Sequence, residues 1–190
     1  LMSGGYLDTD SIVLGESGEG RFVWTGGDIY FNNLTVGGSG NGTFVQDIGA
    51  YNEWYVQPHQ RLVIGGQAGS SGMFEQLSGD VNARNTQIIV GEGGHGIYHQ
   101  RDGWNNAEQT VLGHLAGSEG IYELAGENAT HNASRTIIGD EGAGQYLHMA
   151  GWHTGYETVV GRMAGSSGEY RLDGGQGWME HLRLGEGAGS

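Results

Sequence analysis

The chain has no cysteine and no lysine, and its 190 residues contain a single proline, Pro58. Without cysteine there is no disulfide framework, no thiolate metal site and no covalent haem attachment. All eight basic residues are arginine, against 22 acidic ones, for a formal net charge of −14. A basic footprint is therefore missing, which excludes nucleic acid and anionic membrane surfaces as natural partners. No apolar run approaches the roughly 18 residues of a membrane helix, so no membrane insertion is expected. Hydrophobic residues make up only 36% of the chain. No stretch carries the apolar period of a helix.

What the chain has instead is glycine, 40 residues of it, at recurring places. Two or three β-formers precede a glycine; a glycine-rich turn, one variable residue and an aromatic follow. The glycine falls at Gly15, Gly37, Gly65, Gly91, Gly113, Gly139, Gly161 and Gly185. The residue before it is always aliphatic: Leu14, Val36, Ile64, Val90, Leu112, Ile138, Val160 and Leu184. The aromatic is always present too: Phe22, Phe44, Phe74, Tyr98, Tyr122, Tyr146 and Tyr170. The interval between successive glycines is uneven, and longest from Gly37 to Gly65. The turns come in a short form (GEGGHG, GDEGAG) and a long form (GGQAGSSG, GHLAGSEG, GRMAGSSG). From Gly65 onward the two alternate, so the sequence unit is a 48-residue pair.

Alternation along a strand puts each column on one side throughout. A single repeat cannot bury its few large residues, whereas stacked repeats cover one another. The expected fold is all-β: a β-solenoid, parallel β-helix-like, of about 7–8 coils with roughly 22–28 residues each, rising about 4.8 Å per coil. A coil built from the whole long-and-short pair is the alternative. One domain, 1–190, is expected, opening and closing inside a repeat. Residues 50–61, carrying Pro58 and three aromatics, read as an inserted, extruded loop.

The phrases LVIGGQAGSSGMFEQLSG, TVLGHLAGSEGIYELAG and TVVGRMAGSSGEYRLDGG resemble the glycine-rich β-strand repeats of bacterial autotransporter passenger regions and related secreted surface proteins. The short repeats, with Gln46 and Gln100 after the aromatic, resemble the alternating form of that pattern. The resemblance covers nearly the whole chain apart from the insertion. It implies an extracellular or cell-surface location in a bacterium, and a fibrous or adhesive role.

Candidate chemistry is sparse. A calcium ladder needs an aspartate where Phe22, Phe44, Phe74 and Tyr98 stand, which leaves only weak sites near Asp140 and Glu141. His95 with His99, and His148 with His153 further on, invite a zinc or copper reading; surface or loop histidines are the preferred one. No cofactor and no metal is assigned. Asn33, Asn41, Asn128 and Asn132 head glycosylation sequons that follow from composition in a bacterial chain. Glu123 and Glu169 sit beside the aromatic in a repeated position. Repetition speaks for scaffold, because a catalytic pair breaks the repeat once; no enzyme is expected. Trp104, Trp152 and Trp178 form a candidate contact or glycan-binding stripe. The expected partners are the chain itself, by head-to-tail or lateral fibre contacts, and glycans. Head-to-tail contact is expected because LMSGG and LRLGEGAGS read as two parts of one repeat.

Overall fold

A computed structural model describes residues 1–49, 53–55 and 61–187, and it is a β-solenoid. The strands are β1 (Met2–Leu14), β2 (Glu19–Val36), β3 (Asn41–Asp47), β4 (Glu53–Tyr55), β5 (Arg61–Ile64) and β6 (Ser71–Ser78). They continue with β7 (Asp80–Val90), β8 (His95–Gln100), β9 (Trp104–Leu112), β10 (Glu119–Leu124) and β11 (Thr130–Ile138). The last four are β12 (Ala143–His148), β13 (Trp152–Val160), β14 (Ser167–Leu172) and β15 (Gln176–Leu184). No helix occurs among the described residues.

Every pairing is parallel. The order β14-β12-β10-β8-β6-β3-β2 forms one sheet, and β2-β5-β7-β9-β11-β13-β15 forms the other. The two join at β2, which runs round a corner and serves both. About seven coils result. In the first sheet, successive partners are Ser71, His95, Glu119, Ala143 and Ser167. One coil is therefore the chain from His95 to Glu119, half of the long-and-short pair, and the double-length alternative falls. Of the expected inserted loop, β4 adds a short strand beside β7 and Arg61 already begins β5; residues 50–52 and 56–60 lie outside the described residues.

The repeated phrase makes this fold for local reasons. In β8 and β10 burial alternates residue by residue, which places glycine, aromatic and the residue two further on inside. The aromatic column stacks ring on ring from Phe22 to Tyr170, with centroids 4.8–5.5 Å apart. Such pairs contribute about 0.5–1.5 kcal/mol each beyond their buried area. Interior rungs are fully buried, whereas Leu14, Phe22 and Tyr170 are half-covered and Leu184 is exposed, since among the described residues no coil covers their outer side.

All eight turn glycines adopt positive φ, between 65° and 76°. At Gly91 a Cβ would also lie 2.2 Å from the Glu119 carbonyl oxygen of the next coil. A second glycine column interlocks with the first: at Gly120 a Cβ would lie 1.9 Å from the Val90 carbonyl oxygen. In the long turns a serine closes the loop. Ser118 donates from its hydroxyl to the Leu115 carbonyl at 2.7 Å, and Ser166 to Met163 at 2.8 Å.

Candidate functional site: a buried histidine–tyrosine column and an indole-lined outer face

Two places depart from the plain repeat. The first is inside. Tyrosine replaces phenylalanine in the aromatic column from Tyr98 onward, and each hydroxyl must be satisfied where no water reaches. Tyr98 donates to Gln76 Oε1 (2.8 Å) and Tyr122 to Gln100 Oε1 (2.6 Å). Asn105, on the second sheet, donates to the Tyr122 oxygen at 2.8 Å. In the following coils histidines take these places. His131 is the register partner of Asn105 and His153 that of His131, and His148 lies in the column of Gln100.

The proton positions follow from the acceptors. His148 Nε2 faces the Gly151 carbonyl at 3.3 Å, and a carbonyl only accepts, so Nε2 carries the hydrogen. Its Nδ1 then accepts from the Tyr170 hydroxyl at 2.9 Å. The Tyr170 oxygen in turn accepts from His153 Nδ1 at 3.1 Å, leaving His153 Nε2 to accept from Thr136 at 3.2 Å. One coil earlier the order reverses. Leu124 stands where Gln100 and His148 stand, so it offers Tyr146 no acceptor. Tyr146 therefore donates to His131 Nδ1 (2.9 Å), and His131 Nε2 donates to Thr110 (2.9 Å). His131 and His153 stack at 5.0 Å with opposite tautomers.

Burial holds these groups neutral. It pushes His131 well below the usual histidine range and His153 down to about 3, with neighbouring histidines adding to the effect. His148 is lowered by the same cause. Burial likewise raises Tyr98, Tyr122 and Tyr146, and takes Tyr170 up to about 12. The surface reading of histidine thus fails for His131, His148 and His153. It stands for His95 and His99, which pair with Glu119 and Glu123 at 3.0 Å. His148 is two residues past Tyr146, so strand alternation alone would have turned it inward.

The carboxylates also sort differently from expectation. Asp140 is buried and held between His114 Nδ1 (2.7 Å) and the Arg162 guanidinium, so its oxygens are taken up by an imidazole and a guanidinium rather than left for calcium. Glu123 and Glu169 occupy two different columns, one following and one preceding the aromatic. Among the described residues no group of three or more His, Asp or Glu side chains is placed to hold a metal ion. Nor is any helix long and apolar enough to cross a membrane.

The second place is the outer face of the second sheet. Trp104, Thr130 and Trp152 are register partners on β9, β11 and β13. Their inward neighbours are Asn105, His131 and His153, which turns the indoles outward, 51% and 45% exposed. Trp178 is 65% exposed but pairs with Thr154, so it lies in the adjacent column and the three tryptophans do not form one stripe. Along that adjacent column Asn132 Nδ2 donates to Asn106 Oδ1, and Thr154 donates to Asn132 Oδ1, both at 3.1 Å.

Comparison with protein families, with curated proteins and with solved structures finds no match to this chain.

Proposed function

We propose that this chain is a rod-forming structural module of an extracellular bacterial fibre or surface adhesin, and that rods join head to tail. The observation that carries the reading is the pairing at the two ends of the stack. Among the described residues β14 and β15 are paired on one side only, and so are β1 and the first half of β2. Unpaired parallel edges over an apolar core recruit further strands. Leu172, Leu182 and Leu184 lie exposed at one end. A second copy continuing the same register sets its Met2 on Leu172, its Ile12 on Leu182 and its Leu14 on Leu184. Each of these contacts lays an apolar side chain of one copy on an apolar side chain of the other. The resemblance to secreted surface repeats supports the location. The charge of −14 supports rods that repel laterally and so associate by their ends.

Electron microscopy of the concentrated protein tests the proposal. Filaments many rod lengths long are expected, weakened by Leu182→Glu and recovered when Ile12→Arg is added. Short monodisperse rods at every concentration would overturn it.

A further inference from the structure

The outer face of the second sheet carries an aromatic ladder with its middle rung missing. Trp104 and Trp152 stand one strand to either side of Thr130, so their attachment points are about 9.6 Å apart at the usual strand spacing. In the core of the same solenoid, rungs stack with centroids 4.8–5.1 Å apart. The space above Thr130 is therefore one ring thick on this axis. A cavity of about 290 Å³ opens there, lined by Trp104, Thr130, Asn132, Trp152 and Thr154. None of the five is charged. The Asn132 amide is held in place by Asn106 and Thr154, so the floor is already organised before a ligand arrives.

We propose that this slot binds one neutral pyranose ring of a glycan, sandwiched between the two indoles. The C–H faces of a pyranose meet the two aromatic walls. The ring hydroxyls meet the Thr130 and Thr154 hydroxyls and the Asn132 amide. Such a division, apolar walls with a few fixed polar groups, is what orients a small ligand in a pocket. Charge selects the class of sugar. The lining offers no cation to a uronate or a phosphate, and the chain's charge of −14 repels both. The slot is open outward, so the bound ring can be an internal unit of a longer chain. A preformed slot loses little conformational entropy on binding. The inference is independent of filament formation, because a single rod carries the whole site.

The test is calorimetric titration of the protein with neutral gluco-, galacto- and manno-oligosaccharides, with polygalacturonate as the acidic probe. At least one neutral series is expected to bind at millimolar concentration or below, with a change in indole fluorescence. Trp104→Ala and Trp152→Ala should each weaken binding by about tenfold or more. Thr130→Trp supplies the missing rung; it should abolish binding while thermal unfolding stays cooperative. Tyr30→Ala, exposed toward the other end of the rod, should change nothing. No binding by any neutral series, equal binding of polygalacturonate, or undiminished binding by folded Thr130→Trp would each overturn the proposal.

Discussion

Protonating His131 or His153 would place a charge in the aromatic core, and none of the groups bonded to either ring is a carboxylate. The sign of the pH dependence follows. The unfolded histidines bind a proton near pH 6.5, whereas the folded ones stay neutral, His153 down to about 3. Stability is therefore complete above pH 6.5 and falls as pH drops below it. Each histidine costs about 1.4 kcal/mol per pH unit across that window. Urea unfolding from pH 7 to 4 should show this slope. His131→Asn should remove about one proton's worth of it, since asparagine already fills the place at Asn105 and its carbonyl can accept from Tyr146. An unchanged slope in that variant would refute the assignment. Single residues also show how far the sequence could be read. The aromatic and aliphatic columns were legible because each recurs at a fixed offset from a glycine. The polar half of the core was not. WNNAEQT, THNASRT and WHTGYET carry no apolar alternation, so nothing local says that Asn105, His131 and His153 point inward. Only their register against the tyrosines reveals it.

The turn between the two sheets works as an element through polar side chains that pair from coil to coil along the axis. The residue after the turn glycine runs Glu92, His114, Asp140, Arg162, Glu186 in successive coils. His114 and Arg162 both bond Asp140 from the coils on either side. A slip by one coil would part Asp140 from one or both of these partners, so the ladder supports the register that glycine and aromatic spacing impose. Asp140 is buried, and Arg162 is about one-third exposed, with 31% of its side chain accessible. Arg162→Ala should therefore cost about 2–3 kcal/mol, less than a fully buried pair, because His114 remains and solvent screens the arginine. Arg171→Ala removes an exposed pair with Asp173 and should cost less than about 1 kcal/mol. Urea midpoints of the two variants at pH 7 check the difference; equal costs would show that the ladder contributes nothing specific. The sequence shows these side chains but not their contacts. Each meets its neighbours a whole coil away along the chain, and the pairing emerges only once the coils are stacked.

Across the whole molecule, coils closed by different turns still return to the same register. The coil from His95 has a three-residue corner, between Gln100 and Trp104, and a six-residue turn, between Leu112 and Glu119. The coil from Glu119 has five residues between Leu124 and Thr130, and four between Ile138 and Ala143. In the coil from Ser71 the extra length sits in β7, where the register shifts between Ala83 and Gln87. Lengthening at one corner offsets shortening at another, and all three coils close with equal length, returning to His95, Glu119 and Ala143 in turn. The constant quantity is thus the circumference, set by the two inward ladders, while the turns are free to vary. A whole coil should then be removable, provided the cut respects the inward partners. Deleting residues 119–142 joins the turn that ends at Ser118 to Ala143, the register partner of Glu119. It brings Tyr146 over Gln100, the acceptor that Tyr122 uses now, and sets His153 against Thr110 in place of Thr136. The Tyr98, Tyr146 and Tyr170 hydroxyls and the His148 and His153 rings all keep a partner in the shortened core. The shortened protein should fold with a single cooperative transition and unchanged strand signal per residue in circular dichroism. A deletion of half that length, 119–130, brings strands of the two sheets into one stack and should abolish the transition. If both deletions unfold alike, circumference is not what the ladders conserve.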